Sequence, residues 1–422
     1  MAETHPDVNH VNGIDTDTTN DEVLLAATNH DLETLTRLLR SNPALAKVQD
    51  ADTGFSPLHC AIASCEPDED FDADAGAGDA VHSNALDEDS ALATVKLLFE
   101  NGAIWNELDN ADETPGCLAL RLGLRQVYDA IVEAGVRAEL LFGRLDGYEL
   151  LAGGDEDAEP EDEAIVGFEP SPVEVRRPEL PLPVTDAQAS TTTEPILANP
   201  NVNNEDYLKS ELTYSGDRLL DSDKNAVMMD WETEIMKISA DQLSPRQGLR
   251  TMNVGHGMGI VDSMFLQHEP AMHHIVEAHP AVLKRLRETG WYDKPNVTIH
   301  AGRWQDVLPK LVEQGVVLDG IYYDTYAEDY KDLKEFFTEY VIALLDKDGR
   351  FGFYNGLGAD RQVCYDVYWK VVEMDLFDAG LDVEWTDIAV PDLKGRDEWN
   401  GVRYPYWGSI ETYRLPTCKF VG

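Results

Sequence analysis

The sequence is poor in basic residues, has few cysteines and lacks long apolar runs. Among its 422 residues are 80 Asp and Glu but only 33 Lys and Arg, which gives a formal net charge of −47 at pH 7. Such an acidic chain repels phosphate, so we expect no direct nucleic-acid binding and instead a basic protein partner. No apolar run approaches the roughly 18–20 residues that span a bilayer, and a membrane protein is therefore not expected.

The cysteines are too few and too scattered for a disulfide framework or a zinc module. None of the five forms a C-x-x-C pair, and we predict reduced thiols and no metal site. The first residues also lack the basic start and apolar segment of a signal or transit peptide. These two absences predict a protein of the cytoplasm and nucleus.

The N-terminal third predicts helical hairpins. Residues 1–20 are polar, without periodic apolar positions, and are expected to be a disordered tail. Residues 21–150 contain G-F-S-P-L-H-C-A at 54–61 and a second segment at 95–115, both resembling the ankyrin repeat, whose period is 33. Pro57 and Pro115 lie 58 positions apart, 25 more than one period. We interpret the acidic stretch 66–89 as a loop inserted into one repeat.

The remainder predicts a linker and then an α/β domain. Residues 151–204 are acidic and proline-rich, which is typical of a linker. Within 205–422, strand and helix patterns alternate, which predicts a doubly wound sheet with ligands at the carboxyl ends of its strands. Strands are expected at 249–255, 273–278, 296–301, 318–324, 349–355 and 381–390, helices at 259–268, 279–289, 331–346 and 361–379, and a final antiparallel pair around WGSIETYRL and CKFVG.

A glycine loop follows the first of these strands. It reads G-x-G-x-G from Gly255 to Gly259, and Glu277 ends the next strand about 20 residues later, where an acid can bind a ribose diol. The loop is shorter than the G-x-G-x-x-G that binds a pyrophosphate. Together with Trp304-Gln305-Asp306 it suits an adenosyl group with a methionine tail. The alternative is a set of ordinary tight-turn glycines beside a solvated acid.

Two acidic residues indicate a cationic ligand. Glu232 lies in VMMDWETEIM at 227–236, which we interpret as a helix start, and Asp324 ends the fourth strand within YYDTY. Carboxylates that converge at this edge of a sheet suit a guanidinium, whose planar fork of donors pairs bidentately with them. Taken singly, either residue is more typical of an ordinary acid on the surface.

These segments together resemble a known family. VMMDWETEIM, NVGHGMGI, IVEAH, GRWQDV, YYDTY and LLDKDGRFGFYN resemble guanidinoacetate N-methyltransferase in order and spacing over about 225–360. With the ankyrin-like region in front, the chain is similar to the fungal protein arginine N5-methyltransferase family. The resemblance implies a seven-stranded Rossmann-like methyltransferase sheet and S-adenosylmethionine as the methyl donor, with S-adenosylhomocysteine as product. It also implies, as acceptor, the δ-nitrogen (N5) of an arginine in a ribosomal large-subunit protein.

The resemblance also assigns site residues. Glu232 and Asp324 would hold the guanidinium as the catalytic carboxylates. The cofactor would be bound by Tyr214 as a lid, by Met228, Gly255, His256, Gly257, Met258, Gly259, Ile260 and Val261 at the methionine end, by Glu277 at the ribose, by Ala278, His279, Trp304 and Gln305 at the adenine, and by Asp324.

Two departures from the family pattern bear on the substrate. Asn253 stands where many methyltransferases have an acid before the loop. Asn355 is followed by Gly356-Leu357-Gly358, where the small-molecule relative has a short hydroxyl residue that helps to seat a free carboxylate. Two alternatives stay open: a small-molecule guanidino methyltransferase, and a non-catalytic ankyrin adaptor.

Overall fold

The computed structural model describes residues 16–66, 77–152, 203–391, 393, 397–408 and 410–422, without the side chains of 16, 17, 77–87, 142 and 144–152. Most of these residues belong to one compact unit, which runs to Arg137 and resumes before residue 203. A second unit begins at Ala138, and only the helix that continues to Ala152 is described in it. In the part of the chain that is described, no helix combines the length and apolarity needed to cross a bilayer.

The N-terminal region is a set of packed helices. Capping side chains fix where three of them start: Asp31 accepts from the backbone N of Thr34, and Ser56 and Thr114 each precede a helix that opens with proline. The helices are α1 (Thr16–Thr28), α2 (Leu32–Ser41), α3 (Pro57–Ala63), α4 (Ala77–Glu100), α5 (Pro115–Arg121) and α6 (Arg125–Ala152), with a 3₁₀ turn at Pro43–Lys47.

Two expected boundaries in this region shift, and a third prediction lies almost wholly outside the described residues. The polar tail is not disordered up to residue 20, because α1 already begins at Thr16. The predicted loop at 66–89 is wrong for residues 77–89, which form the first part of α4, and residues 67–76 lie outside the described residues. The linker prediction at 151–204 falls almost wholly on residues that the structure does not describe, apart from the end of α6 and the residues around Asn204.

A short helix and a small antiparallel sheet precede the main sheet. They are α7 (Asn204–Lys209), β1 (Thr213–Ser215), β2 (Arg218–Leu220) and β3 (Ala226–Met229), followed by a 3₁₀ turn at Asp230–Glu232 and by α8 (Thr233–Leu243). The interpretation of 227–236 as a helix start is therefore wrong for its first three residues, which form β3. The helix proper begins only after Glu232.

The main sheet has seven strands. In chain order the elements are β4 (Arg250–Val254), α9 (Ile260–Gln267), β5 (Met272–Glu277), α10 (Pro280–Glu288), β6 (Val297–Ala301), α11 (Trp304–Glu313), β7 (Leu318–Tyr323), α12 (Tyr330–Glu335), a π-helical stretch (Phe336–Val341), α13 (Ile342–Leu344), β8 (Leu345–Phe353), α14 (Gln362–Asp378), β9 (Leu381–Ala389) and β10 (Thr412–Phe420). The strand order is β6-β5-β4-β7-β8-β10-β9. Strands β4 to β8 pair in parallel, and β10 runs antiparallel to both β8 and β9.

This arrangement confirms the doubly wound α/β prediction, with one correction. WGSIETYRL and CKFVG do not pair with each other, because residues 412–420 form the single strand β10. Side chains of β7 alternate between the two faces of the sheet, so that Tyr322 packs with α8 and α9 while Ile321 and Tyr323 pack with the cluster around α11. Helices therefore cover both faces, and the polar ends of β4, β5, β7 and β8 form the edge where the candidate site lies.

The N-terminal helices pack directly on α14. A Cβ placed on Gly116 in α5 would lie 2.5 Å from Cγ2 of Val363, and one placed on Gly135 in α6 would lie 2.7 Å from Cγ2 of Val367. The Tyr128 hydroxyl donates a 2.7 Å hydrogen bond to Asp366. The close approach at the two glycines leaves no room for side chains at this contact.

Gly116→Ala tests this contact. We expect it to lower the free energy of unfolding by about 1–3 kcal/mol, because overpacking outweighs the usual gain from alanine in a helix. Val363→Ala in the same chain should recover part of that loss by removing the clashing methyl groups, and a double-mutant cycle in denaturant measures the coupling. An unfolding free energy raised by Gly116→Ala would contradict the close packing.

Candidate active site

The glycine loop after β4 is built on positive backbone angles. Gly255, Gly257 and Gly259 have φ of 94°, 53° and 79°, a region that side chains disfavour. A Cβ on Gly255 would lie 1.9 Å from the carbonyl oxygen of Asp324, so the loop lies directly against the end of β7. A Cβ on Gly257 would lie 2.7 Å from Cε of Met228. The glycines are thus required by both conformation and space.

A buried acid in the helix after the loop anchors the loop by hydrogen bonds. Asp262, fully buried in α9, accepts from His256 Nδ1 at 2.7 Å, His273 Nε2 at 2.8 Å and Asn253 Nδ2 at 2.9 Å. Burial raises the pKa of Asp262, but the two imidazoles outweigh it and lower that pKa to about 2. Asn253, the residue that replaces the usual acid, is therefore directed at Asp262 and stabilises the turn.

Glu277 at the end of β5 faces the loop. Its Oε2 accepts from the backbone N of His256 at 2.9 Å, and its Oε1 accepts from the backbone N of His279 at 2.6 Å. Burial raises the pKa of Glu277. The backbone N–H of Gly257 also hydrogen-bonds this carboxylate. A carboxylate has about four lone-pair sites, so Glu277 can still accept from a further donor, as a diol-binding acid must.

A cavity that is partly open to solvent lies beside the loop, with about 590 Å³ of empty space when its open mouth is included. Seven of the residues predicted to bind the cofactor line it, namely Met228, Gly255, Gly257, Glu277, Ala278, Trp304 and Asp324. The structure does not bring the other predicted cofactor residues to the cavity wall: these are Tyr214, His256, Met258, Gly259, Ile260, Val261, His279 and Gln305.

Several of these eight residues support the wall from outside. The Tyr214 hydroxyl donates to the carbonyl of Gly257 at 3.2 Å, and the backbone N of Met258 contacts Sδ of Met228 at 3.2 Å. Val261, at 0% exposure, belongs to the core with Phe265. They shape the loop and do not line the space beside it.

One end of the cavity carries an acid that the sequence analysis missed. Glu328 accepts from Trp304 Nε1 at 3.0 Å and from the Tyr323 hydroxyl at 2.5 Å. The amide nitrogens of Gln305 and Asn204 also point at it, at 3.4 and 3.5 Å. Because a carboxylate accepts only, both amides must present nitrogen to it. Their buried oxygens have no hydrogen-bond partner among the described residues, and so remain available to a donor.

Helix α7 covers the same end. Tyr207 lines the cavity, and its ring packs against His279 and Tyr326 at centroid distances of 4.8 and 4.9 Å. His279 Nδ1 accepts from the backbone N of Ala281, so Nε2 carries the proton and donates to the Tyr207 carbonyl at 3.0 Å. Tyr207, and not Tyr214, therefore lines this end of the cavity.

The first candidate carboxylate is fixed at both oxygens. Glu232 is 4% exposed, and it accepts from the Tyr406 hydroxyl at 2.6 Å and from the backbone N of Met229 at 3.1 Å. Burial raises the pKa of Glu232 to about 7, against the lowering effect of these donors. Tyr406 reaches it from the segment before β10, far away in sequence.

The second carboxylate shares this environment. Burial raises the pKa of Asp324 well above its usual range, and the charge of Glu232 raises it further. Oδ2 of Asp324 is buried and has no hydrogen-bond partner in the described part of the chain, and the same is true of the Tyr354 hydroxyl. Burial, followed by the charge of Glu232, raises the pKa of Tyr354 as well. The structure therefore brings the two predicted carboxylates together at a position suited to a cation.

These raised pKa values predict that guanidinium binding depends on pH. Below about pH 7 Glu232 is protonated and cannot pair with a cation, so the half-saturating concentration of an arginine peptide should rise as pH falls, by up to about tenfold per unit. Titration of peptide binding between about pH 6 and pH 8.5 measures this slope. The dissociation constant of the cofactor should stay flat, and a flat profile for the peptide would contradict a role for the pair in binding.

Several residues of the site have no signal in the sequence. Glu328, Tyr406, Tyr207 and Tyr354 all act through contacts between distant segments. Asp262 had a local signal, since an acid in the first turn of the helix after a glycine loop faces that loop. No group of three or more His, Cys, Asp or Glu among the residues described could hold a metal ion.

Comparison with known proteins places the chain among methyltransferases. A family model described as guanidinoacetate N-methyltransferase matches residues 202–374. Proteins named protein arginine N-methyltransferase 2 are 53% identical in Emericella nidulans (98% of this chain, 99% of the relative), 54% in Aspergillus fumigatus (97% and 98%) and 44% in Neurospora crassa (95% and 95%).

Solved structures share less with it. The O-methyltransferase TomG from Streptomyces achromogenes in complex with SAM is 18% identical with a TM-score of 0.33, over 45% of this chain and 80% of that one. Spermidine synthase from Thermotoga maritima is 14% identical with a TM-score of 0.34, over 50% and 72%. The fungal relatives are 44–54% identical to this chain over nearly its full length. The chain therefore belongs to the protein arginine N-methyltransferase 2 family.

Proposed function

We propose that the protein methylates the δ-nitrogen (N5) of an arginine in a protein substrate, with S-adenosylmethionine as methyl donor. The proposed substrate is a ribosomal large-subunit protein. One observation carries the proposal. Two buried carboxylates, Glu232 and Asp324, interact electrostatically, and Asp324 also lines the cavity beside the glycine loop. A cation bound by the pair would therefore lie next to a ligand in that cavity.

The cavity residues fit the proposed cofactor. Glycines leave space against the loop, and Glu277 can accept a further hydrogen bond from a ribose diol. At the other end, the unpartnered oxygen of Asn204, which lines the cavity, suits the amino group of an adenine. Met228 and the loop would hold the methionine end. When bound, the cofactor supplies an electrophilic methyl group on a sulfonium.

The carboxylates prepare the acceptor nitrogen. Arginine is protonated at any working pH, so its guanidinium has no free lone pair until charge is localised or a proton is removed. Glu232 and Asp324 would accept hydrogen bonds from the terminal nitrogens and draw the positive charge toward those nitrogens. One of the two takes the proton, and the pKa of Glu232 of about 7 suits such a role near neutral pH.

The acidic surface and the N-terminal helices favour a protein substrate. A net charge of −47 steers a basic protein toward the site, an effect that should fade with added salt. We propose that the N-terminal helices are ankyrin-type repeats that bind this partner, an assignment supported by the Ser56 and Thr114 caps before Pro57 and Pro115. We also propose that it acts in the cytoplasm and nucleus, consistent with its five free cysteines.

Transfer of an isotopically labelled methyl group tests the function. The purified chain is incubated with labelled S-adenosylmethionine and a ribosomal protein extract, and fragmentation mass spectrometry locates the label. We expect it on the δ-nitrogen of an arginine in one protein. Label on a terminal nitrogen would contradict the N5 assignment. Label only on an added small guanidino compound would favour the small-molecule alternative, and bound cofactor without transfer to either acceptor would favour the adaptor.

A deletion of the N-terminal helices is a poor test of their role. Because α5 and α6 pack on α14, removing residues 1–150 would expose that contact and destabilise the catalytic region. Charge reversal of exposed acids on the helices, such as Glu33 and Glu133, leaves the contact intact. Selective loss of activity on the basic protein, with small-compound binding unchanged, is the result expected of a partner-binding surface.

A further inference from the structure

Asn355 has an oriented and unused acceptor beside the carboxylate pair. It is 0% exposed and lies two residues past the end of β8, with the backbone N of Tyr354 still bonded to the carbonyl of Tyr323 at the end of β7. Asp324 follows that same strand β7, so Asp324 and Asn355 lie at the carboxyl ends of adjacent parallel strands. Its Oδ1 is buried and has no hydrogen-bond partner among the residues described.

The orientation of the amide is set by its other atoms. Nδ2 donates to the carbonyl of Arg414 at 3.1 Å and to the Tyr365 hydroxyl at 3.3 Å, and the backbone N of Asn355 donates to the Tyr413 hydroxyl at 2.8 Å. Rotating the amide by 180° would place Oδ1 against the Arg414 carbonyl, where two acceptors repel. Oδ1 is therefore turned away from these partners and held there.

The surroundings connect this oxygen to the acceptor site. Tyr413, which binds the backbone of Asn355, is close enough to both Asp324 and Glu232 for their charges to raise its pKa, in addition to the larger effect of burial. The ring of Tyr413 also packs against that of Tyr354, with centroids 5.7 Å apart. Two buried oxygens without hydrogen-bond partners among the described residues, Asp324 Oδ2 and Asn355 Oδ1, therefore follow the ends of two adjacent parallel strands.

A planar guanidinium carries five N–H groups, and a bidentate pair with each of the two carboxylates uses four of them. Each oxygen of Glu232 also already accepts one bond from the protein, so a further acceptor has a donor to bind. An unsatisfied buried acceptor is costly in the free protein, and it becomes favourable when a donor arrives. We infer that Asn355 Oδ1 is a third acceptor for the substrate guanidinium and so contributes to selecting a cationic, planar donor. This inference rests on the proposed function and adds a binding residue to it.

Two substitutions separate the acceptor role from a structural one. Asn355→Ala removes Oδ1 and Nδ2 together. Asn355→Asp keeps an oxygen toward the site but loses the amide donor to Arg414. If Oδ1 binds substrate, we expect Asn355→Ala to raise the half-saturating concentration of the ribosomal extract by roughly 10- to 100-fold, and Asn355→Asp to recover most of it. If only Nδ2 matters, Asn355→Asp should be as harmful as Asn355→Ala or worse, because oxygen would then face oxygen.

The assay uses the full chain, the same extract and labelled S-adenosylmethionine. Cofactor dissociation constants and unfolding midpoints are measured for both variants. We expect the cofactor dissociation constant to stay close to that of the unsubstituted protein, whereas both variants should unfold more easily because they lose the Nδ2 hydrogen bonds to Arg414 and Tyr365. Equal half-saturation in the Ala and Asp variants, or the reverse ranking, would overturn the role of Asn355. Absence of methyl transfer by the unsubstituted chain would instead overturn the proposed function, so the two failures are distinguishable.

Discussion

Replacing either carboxylate of the pair by its amide, as Glu232→Gln or Asp324→Asn, is expected to lower turnover on arginine by roughly 10²–10⁴-fold while leaving cofactor affinity within about threefold. The physical reason is that only a carboxylate can both attract positive charge toward the terminal nitrogens and accept a proton. Glutamine can keep the resting contacts of Glu232, since its oxygen can accept from Met229 N and its nitrogen can donate to the Tyr406 oxygen.

Single-turnover rates and calorimetric titration of the cofactor measure these two effects. Glu234→Gln is the matched control, because this acid is exposed in the first turn of α8, two positions away. It should be neutral in both measurements. Turnover within about threefold of the unsubstituted protein in both pair variants would contradict the assignment of the carboxylates.

The same pair should destabilise the free protein. The folded-state pKa of Glu232, about 7, lies above the ordinary value of 4.5. The folded state therefore binds more protons than the unfolded state between these values, and the free energy of unfolding decreases as pH rises through this window. Glu232→Gln removes that loss. Near pH 8 we expect the free energy of unfolding of the inactive variant to exceed that of the active protein by on the order of 1–3 kcal/mol.

Gly255→Ala is the second substitution with a large expected effect. Its Cβ would lie 1.9 Å from the Asp324 carbonyl, which is backbone and cannot move aside, and the φ of 94° adds strain. We expect about 1–2 kcal/mol from the backbone angle and about 1–3 kcal/mol more from the clash. Because the same contact aligns the loop with Asp324, cofactor affinity should fall by at least about 100-fold, which corresponds to a loss of about 3 kcal/mol.

Gly248→Ala provides a matched control. Its φ of 77° is also positive, but no atom lies within 4 Å of the added Cβ. It should show only the cost of the backbone angle, with cofactor affinity unchanged. Comparison of the two variants by denaturant unfolding and cofactor titration isolates the clash. Equal losses of stability and of cofactor affinity in both variants would show that the close approach of the loop to Asp324 contributes to neither.

The strands and the nucleotide loop were predictable because their signals are local. β4, β5 and β7 are apolar runs that end in glycine or acid, and the edge of a parallel sheet brings such ends together whatever the rest of the chain does. The convergence of Glu232 and Asp324 followed from this rule combined with the family resemblance. The predicted start of a helix at 227–229 was wrong, because Met228 and Met229 pair with β2 in a small sheet that periodicity did not indicate.

The roles of individual side chains were less predictable. The loop residues from His256 to Val261 were expected to bind ligand as a group, yet the imidazole of His256 turns to Asp262 and Val261 packs in the core. Tyr406 and Glu328 meet their partners across long sequence separations or across the turn after β7, where no spacing rule applies. Around Asn355 the sequence drew attention only to the glycines after it, because an unused side-chain oxygen is visible only when its neighbours are in place.

A crystal structure with S-adenosylhomocysteine and an arginine peptide tests the central claim most directly. The account predicts the nucleoside in the cavity with its ribose on Glu277 and the guanidinium between Glu232 and Asp324, with its internal nitrogen facing the sulfur. A peptide bound elsewhere, or a guanidinium that contacts neither carboxylate, would contradict it.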